Sequence, residues 1–385
     1  MPNKTFPVNP LHLDLLILTL VISVLLLTSC GGSGDTTATT DVAATTDATD
    51  TTALSNLGQR LYFDTSLSNP PGQSCASCHL PAAGFADPDN IMPTSEGAVA
   101  GRFGNRNSPT AGYAAHIPPF HFETGGPGGG RFVGGQFLDG RASTLELQAQ
   151  GPFLNILEMN MADKDAVITQ IRAADYAADF EVVFGSGSLD DTDAAYVQVS
   201  EAIAAFERTE LFSPFSSKFD AVQTGADVFT IAEQNGQNLF NGKADCARCH
   251  RTRNGAPQVF SNFEYNNIGV PANPDNPFLT LDPTLNPDGL AFVDLGLGGV
   301  LADAGENGKF RNPTLRNIDS TAPYMHNGVF DTLTEVIDFY NRRDIDGVIP
   351  EVNQNIDNGG NIGNLNLSPA EIADLIAFLQ TLSDA

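Results

Sequence analysis

Apolar residues recur with a helical period over much of the chain, and little of it shows the every-second-residue alternation of strands. Residues 163–183 and 192–210 are the clearest amphipathic segments. In the second, Val197 and Ile203 fall near one face, whereas Glu207 can point outward. The pattern predicts a mainly α fold.

Two later helices are predicted over residues 333–342 and 369–382, because each begins with a capping box, in which a Ser or Thr and a Glu three residues later satisfy each other's backbone N–H groups. The pairs are Thr332 with Glu335 and Ser368 with Glu371. By contrast, residues 262–309 are rich in Asn, Pro, Gly and Asp. A structureless loop of that length is unusual in a compact domain, so we expect an ordered segment that wraps something.

One short pattern occurs twice. The stretches "LGQRLYFD" (57–64) and "NGQNLFNG" (235–242) share Gly-Gln-x-Leu followed by an aromatic residue, beginning at Gly58 and Gly236. Each predicts a helix, and together they predict an internal duplication of one small helical unit.

A Cys-x-x-Cys-His motif follows each copy, and its residues are Cys75, Cys78, His79, Cys246, Cys249 and His250. A thioredoxin-like redox pair would not need the histidine, and a zinc site built from all four cysteines would need a much shorter gap. Covalent haem attachment needs this spacing, because both thiols can reach the vinyl groups of one porphyrin while the histidine lies under the iron. Two haem c groups are predicted, with His79 and His250 as iron ligands.

Residues 1–30 predict an export signal. The apolar run "LLILTLVISVLLLTSC" follows Lys4 and stops at a sequence that resembles a bacterial lipobox, which would make Cys30 the lipidated first residue. An anchoring helix is the alternative. Residues 31–53, rich in Gly, Thr, Ala and Asp, predict a flexible tether. We expect a membrane-anchored lipoprotein on the periplasmic or cell-surface side, with the outer membrane favoured by Gly31.

The formal net charge of −27 argues against nucleic acid or anionic lipid as a partner of the folded body. It would suit a basic protein partner, but acidity alone is usually a matter of solubility, and we interpret it in that way.

Two segments carry a family resemblance: "QFLDGRASTLELQAQGPFLNILEMN" (136–160) and "KFRNPTLRNIDSTAPYMHNG" (309–328). They closely resemble the bacterial di-haem cytochrome c peroxidase and MauG family. The resemblance implies two cytochrome c-like domains with long connecting loops, residues 54–225 and 226–385. It also implies that the N-terminal haem reacts with hydrogen peroxide, with electrons from a small donor protein such as cytochrome c or a cupredoxin.

Within this resemblance, Glu158 matches the acid/base of the peroxide pocket and Gln148 matches its companion. Residues matching the pocket walls are Phe137, Pro152 and Met159. The apolar residues around Glu158 in the sequence support the match, because a lone carboxyl among them should have a raised pKa and hold a proton.

The resemblance further implies one calcium ion between the domains, bound by Asn107, Thr321 and the carbonyl of Pro323. Hard oxygen ligands of this kind suit Ca²⁺. His326 matches a family position near the second haem, but a structural histidine is the simpler interpretation.

The chain also departs from the peroxidase pattern. The loop 89–110 lacks the family's distal histidine, whose place falls at Ala98 or Val99, and His116 and His121 lie further on. We therefore predict an open, five-coordinate first haem.

A second departure is that Tyr340 stands where the peroxidases carry a methionine ligand, as in MauG-like proteins. It shares a helix face with Leu333, Val336 and Ile337, so a core tyrosine is the alternative to an iron ligand. A third departure is Leu138, which replaces the usual tryptophan between the haems; the chain has no tryptophan.

The expected function is a di-haem peroxidase that reduces hydrogen peroxide. One alternative is a MauG-like enzyme that oxidises residues of a partner protein, which is favoured by Tyr340 and by the missing distal histidine. The other is a non-catalytic electron-transfer lipoprotein.

Overall fold

The structure is a computed structural model that describes residues 43–89, 91–125, 129–251 and 257–385, with side chains from residue 51 onward. It is mainly α-helical, as predicted. The helices are α1 (Ala43–Phe63), α2 (Cys75–Cys78), α3 (Leu145–Ala149), α4 (Gly151–Leu154), α5 (Lys164–Ala173), α6 (Ala177–Phe184), α7 (Thr192–Glu207), α8 (Lys218–Gln223), α9 (Ile231–Asn241), α10 (Ala247–His250), α11 (Leu297–Leu301), α12 (Leu333–Asp346) and α13 (Pro369–Gln380).

Within the described residues, four short strands form two antiparallel pairs. β1 (His121–Thr124) pairs with β2 (Gly130–Val133), with His121 opposite Val133. β3 (Tyr265–Asn266) pairs with β4 (Phe310–Arg311), with Tyr265 opposite Arg311. An isolated bridge between Val133 and Glu264 joins the two pairs, so the long segment after the second Cys motif is tied to the first half of the chain.

The predicted helix starts are largely reproduced. In both capping boxes the Ser or Thr side chain accepts the backbone N–H of the glutamate, at 3.2 Å for Thr332 with Glu335 and 3.3 Å for Ser368 with Glu371. The helix predicted over 163–183 is two helices, because the chain leaves helical geometry at Ala174 before resuming.

The two faces of α7 differ from the prediction. Val197, expected to be buried, is 43% exposed, and Glu207, expected to point outward, is only 6% exposed. The buried face is formed instead by Ala195, Val199 and Ile203.

The duplicated lead-in produces the same helix crossing twice. A Cβ added at Gly58 in α1 would lie 1.9 Å from the carbonyl oxygen of Ala202, and one at Gly236 in α9 would lie 2.0 Å from that of Asp374. In each case the next obstacle is the Cβ of a phenylalanine four residues further on, Phe206 or Phe378. Only glycine permits this approach, so α1 packs on α7 as α9 packs on α13.

Each crossing lies in its own hydrophobic core. One core contains buried residues from Leu57 to Phe212, and the other contains buried residues from Phe219 to Leu382. The two Cys-x-x-Cys-His motifs therefore lie beside separate cores.

Residues 262–309 are ordered, as predicted, largely through buried asparagine side chains. Asn267 donates to the carbonyls of Val352 and Gln354, and Asn273 donates to the carbonyls of Asn327 and Gly328. Because these amides replace regular secondary structure as partners of the backbone, the segment keeps its course with few strands or helices.

Helix α1 begins at Ala43, inside the segment 31–53 that was expected to be a tether. The predicted signal 1–30 and Cys30 lie outside the described residues. Among the described residues, the helices are all too short or too polar to cross a bilayer.

Candidate functional site

The first motif forms a single helical turn, α2. The Ser77 hydroxyl accepts the Ser74 N–H at 3.0 Å, and the His79 N–H closes the turn on the Cys75 carbonyl at 2.9 Å. His79 Nδ1 lies 3.2 Å from the Phe85 carbonyl. A carbonyl oxygen can only accept, so Nδ1 carries the proton and Nε2 is left with a lone pair for a metal.

The second motif has the same geometry in α10. The His250 N–H bonds to the Cys246 carbonyl at 2.9 Å, and His250 Nδ1 lies 3.1 Å from the Phe260 carbonyl. Burial lowers the pKa of His250 to about 4, so the ring is neutral at physiological pH. Phe85 and Phe260 both have positive φ, 60° and 54°, which is part of how each carbonyl is turned toward its histidine.

The two motifs border separate cavities. Cys75, Cys78 and His79 line a cavity of about 210 Å³, here called the smaller cavity. Cys246, Cys249 and His250 line a cavity of about 270 Å³, the larger cavity.

The chemistry of these residues fits covalent haem. All four cysteines are free, and burial raises the pKa of Cys78 and of Cys246 to about 12. A low-pKa redox thiol is therefore not what either motif presents. Since the pairs face different cavities, they cannot together hold one zinc ion. Two thiols and one imidazole lone pair at each cavity suit a porphyrin with its iron.

Glu158 and Gln148 both line the smaller cavity, together with the predicted wall residues Phe137, Pro152 and Met159. Glu158 lies in the turn after α4, where Asn155 Nδ2 donates to Glu158 Oε1 at 2.8 Å. Burial raises the pKa of Glu158 above its ordinary value, while the charge of Arg141 and this hydrogen bond work against the rise. The carboxyl can therefore hold a proton, as the sequence predicted.

Arg141 is a residue of this cavity that the sequence did not single out. Its guanidinium lies over the ring of Phe137, 3.5 Å from the ring centroid, and its Nη1 is 2.8 Å from Asp139 Oδ2. Arg106 Nη1 contacts the same oxygen of Asp139 at 2.6 Å, which extends the ion-pair network to Asp294. These contacts hold the guanidinium of Arg141 at the cavity that contains Glu158.

Among the described residues, His79 is the single histidine that lines the smaller cavity. His116 packs against Tyr113 and Phe215, and His121 is exposed with its Nδ1 2.8 Å from the Pro119 carbonyl. Neither replaces the missing distal histidine. The Ala98 N–H bonds to the Glu158 carbonyl at 2.7 Å, but Ala98 does not itself line the cavity.

In the larger cavity, Leu333, Val336, Ile337 and Tyr340 line the wall as one face of α12. In the described part of the chain, each of the other six tyrosines donates its hydroxyl to a protein acceptor, and no such hydrogen bond is formed by the hydroxyl of Tyr340. Burial raises the pKa of Tyr340 well above its ordinary value. The hydroxyl is thus available to a group bound in the cavity.

Met325 also lines the larger cavity, next to His326. Its thioether is a possible iron ligand that the sequence analysis did not consider. His326 Nε2 lies 3.0 Å from Glu351 Oε2, and its ring stacks on Phe310 with centroids 3.9 Å apart. These contacts fit the structural histidine expected from the sequence.

The predicted calcium ligands Asn107, Thr321 and Pro323 all border the larger cavity. Asn107 Nδ2 donates to the Pro93 carbonyl at 3.2 Å, and this bond does not use the amide oxygen, which is the atom that would bind calcium. Over the residues that the structure describes, no group of three His, Cys, Asp or Glu is arranged to hold a metal ion. Calcium binding stays a prediction.

Glu207 is a further carboxyl that the sequence analysis missed. It lines the smaller cavity one helical turn after Ile203, and its Oε2 has no hydrogen-bond partner among the described residues. Burial raises its pKa to about 8. The smaller cavity therefore contains two buried carboxyl groups with raised pKa values.

A common wall separates the two cavities. The residues that border both are Asn107, Ser108, Pro109, Thr110, Ile117, Leu138 and Arg311. None of these seven is aromatic, which agrees with the replacement of tryptophan by Leu138.

Two attachment turns, each with its own cavity and its own buried imidazole, define a c-type cytochrome with two haem sites. Residues 52–228 match a family described as di-haem cytochrome c peroxidase. The chain is 39% identical over 356 residues to the methylamine utilization protein MauG of Paracoccus denitrificans (strain Pd 1222), a match that covers 86% of this chain and 89% of that protein. The chain belongs to the di-haem cytochrome c peroxidase and MauG family.

Other relatives carry peroxidase names. A cytochrome-c peroxidase from Pseudomonas sp. (strain SCT) is 33% identical over 343 residues, covering 86% of this chain and 81% of that protein. The crystal structure of the diheme peroxidase BthA from Burkholderia thailandensis E264 superposes with a TM-score of 0.74 at 31% identity, covering 86% of both chains. Membership of this family implies two c-type haems and oxidoreductase chemistry on peroxide.

Proposed function

We propose that the protein is a di-haem peroxidase that reduces hydrogen peroxide to water with electrons from a small redox protein. The observation that carries this proposal is the smaller cavity, where Glu158 and Gln148 face the same space as Cys75, Cys78 and His79. A pure electron carrier has no use for a protonatable carboxyl in a haem cavity.

The residues would hold the two haems as the duplicated motifs suggest, in cytochrome c-like domains at 54–225 and 226–385. Haem iron in the smaller cavity supplies the binding position for hydrogen peroxide and takes up oxidising equivalents. His79 would be the protein ligand of that iron, and the described lining of the cavity contains no second histidine that would compete with peroxide.

Glu158 serves as the acid/base. Its carboxylate takes a proton from bound peroxide and returns it to the departing oxygen, which leaves as water. Burial raises the pKa of Glu158, so this carboxyl holds a proton more readily than an ordinary glutamate and can return the proton that it has taken. Arg141 keeps the carboxylate accessible by opposing the effect of burial, and Gln148 offers an amide to orient the peroxide.

The test is steady-state hydrogen peroxide consumption with reduced cytochrome c. Glu158→Gln should lower turnover at least about a hundredfold, the lower end of what acid–base catalysis contributes. Glu201→Gln, an exposed change on α7, is the matched control and should leave turnover unchanged. Equal turnover in Glu158→Gln and the wild-type protein would contradict the proposal.

A second candidate is favoured by Tyr340. A phenolate ligand stabilises ferric and higher oxidation states, so the second haem would store oxidising equivalents rather than admit electrons. A MauG-like role, with oxidation of residues in a partner protein, would follow. It predicts that peroxide produces a long-lived oxidised form and that reduced cytochrome c is a poor donor.

The same proposal includes one calcium ion at Asn107, Thr321 and Pro323, which would tie the two halves together. It also includes export and a lipid anchor at Cys30 on the periplasmic or cell-surface side, with the outer membrane favoured. Neither part takes part directly in proton transfer in the smaller cavity, and calcium would act on turnover by keeping the two halves in position.

A further inference from the structure

Arg311 is a buried cation. The residue lies in β4 and is 5% exposed. Its Nη2 donates to the Phe137 carbonyl at 3.0 Å and its Nη1 approaches the Asn312 carbonyl at 3.5 Å. Its Nε has no hydrogen-bond acceptor among the described residues. The charge of Asp139 acts on Arg311, but the ion pairs of that carboxylate are with Arg106 and Arg141.

The other buried arginines of this region are neutralised by protein carboxylates. Arg106 is paired with Asp139 and Asp294, and Arg316 with Asp220. The carboxylate of Asp139 is already shared by Arg106 and Arg141, so it is not free for Arg311. An unpaired buried charge is costly, and burial accordingly lowers the pKa of Arg311. Among the described residues, Asp139 is the carboxylate whose charge acts on Arg311, and that charge is shared with Arg106 and Arg141. A bound anion would complete the balance of charge.

The position of Arg311 indicates where that anion comes from. Arg311 is part of the wall that borders both cavities, and its main-chain N–H donates to the Leu138 carbonyl at 2.8 Å, which fixes β4 against the wall. A haem carries two propionate carboxylates at one edge, and a planar guanidinium matches a carboxylate with two parallel hydrogen bonds.

We propose that Arg311 binds a haem propionate carboxylate at the wall between the two cavities, through its free Nε and an adjacent Nη. The site would fix one porphyrin edge against the wall and place a positive charge beside that haem. The inference rests on the two covalent haems of the proposed function, but not on peroxide turnover.

The test is spectroelectrochemical titration of both haems in the holoprotein, after haem staining and the pyridine haemochrome spectrum confirm two attached haems. Arg311→Met removes the charge. For one haem, the ratio of ferrous to ferric form at a fixed applied potential should fall about tenfold, which corresponds to a shift of 59 mV for a one-electron couple. Its potential should also begin to fall as pH rises, because a propionate without a counter-ion gains a proton at low pH.

Arg311→Lys, which keeps the charge, should restore most of the potential. Arg60→Met is the control, because Arg60 is half-exposed, paired with Asp175 and Asp179, and borders neither cavity. Unchanged potentials in Arg311→Met, with both haems attached, would overturn the proposal.

Two further measurements keep the proposal falsifiable if Arg311→Met does not accumulate. A crystal structure of the wild-type holoprotein should show a propionate oxygen about 3 Å from Arg311 Nε. A free anion such as chloride in that place would make the wild-type potentials depend on chloride concentration. Either a distant propionate or such a dependence would refute the assignment.

Discussion

Glu207 should make the stability of the protein fall as pH rises. Its folded-state pKa of about 8 lies well above the ordinary value of 4.5 for a glutamate. Between these values the folded state holds a proton that the unfolded chain has released, so each pH unit costs about 1.36 kcal/mol of unfolding free energy. From pH 6 to pH 8 the loss is about 2 kcal/mol, because the slope declines as the folded-state pKa is approached.

Glu207→Gln should abolish this loss, since an amide resembles the protonated carboxyl and does not titrate. The assay is denaturant unfolding of the holoprotein at pH 6 and at pH 8, followed by circular dichroism. The difference in unfolding free energy between wild type and Glu207→Gln should change by about 2 kcal/mol between the two pH values, and the change should favour the variant at pH 8. Glu201→Gln, exposed on the same helix, should behave like the wild type. Parallel pH profiles for Glu207→Gln and wild type would refute the reasoning.

Three other outcomes are expected. Gly236→Ala should destabilise the protein by about 1–3 kcal/mol in denaturant unfolding, because the new Cβ would lie 2.0 Å from the Asp374 carbonyl and α9 would have to move from α13. In Gly299→Ala the nearest atom to the new Cβ is 3.5 Å away, so the free energy of unfolding should not change. Equal losses of stability in the two variants would refute the importance of the close contact between α9 and α13. Tyr340→Met should raise the potential of the second haem by on the order of 0.1 V and alter its low-spin EPR signal, whereas an unchanged signal would point to another ligand. A chelator should lower peroxide turnover, and added calcium, but not magnesium, should restore it. Metal analysis that finds no calcium in the purified protein would refute the proposed calcium site at Asn107.

The local parts of the site could be predicted from the sequence. Cys-x-x-Cys-His spacing determines what one helical turn can present, so both attachment motifs needed no knowledge of the fold. The capping boxes at Thr332 and Ser368 are equally local, and both are present. Family resemblance then supplied Glu158, whose side chain does face the smaller cavity.

The parts that were missed depend on distant contacts. Glu207 lies on the face of α7 that the sequence pattern marks as polar. Such a pattern separates polar from apolar positions, but it cannot show whether a polar side chain faces solvent or an internal cavity. Arg311 is one residue of a two-residue strand, and its lack of a carboxylate partner depends on how Arg106 and Arg141 occupy Asp139. The break between α5 and α6 has no glycine or proline to mark it. Such features belong to the assembled fold, so a linear pattern could not predict them.

The wall shared by the two cavities brings the two proposed haem sites close together. Because Leu138 and its neighbours line both cavities, an electron that passes from one haem site to the other crosses only the residues of this shared wall. In the proposed peroxidase, a redox partner would then need only one docking site on the surface to supply both electrons of the reaction. A bulkier residue at Leu138 would widen this wall and slow electron transfer between the two haem sites, without changing either attachment motif.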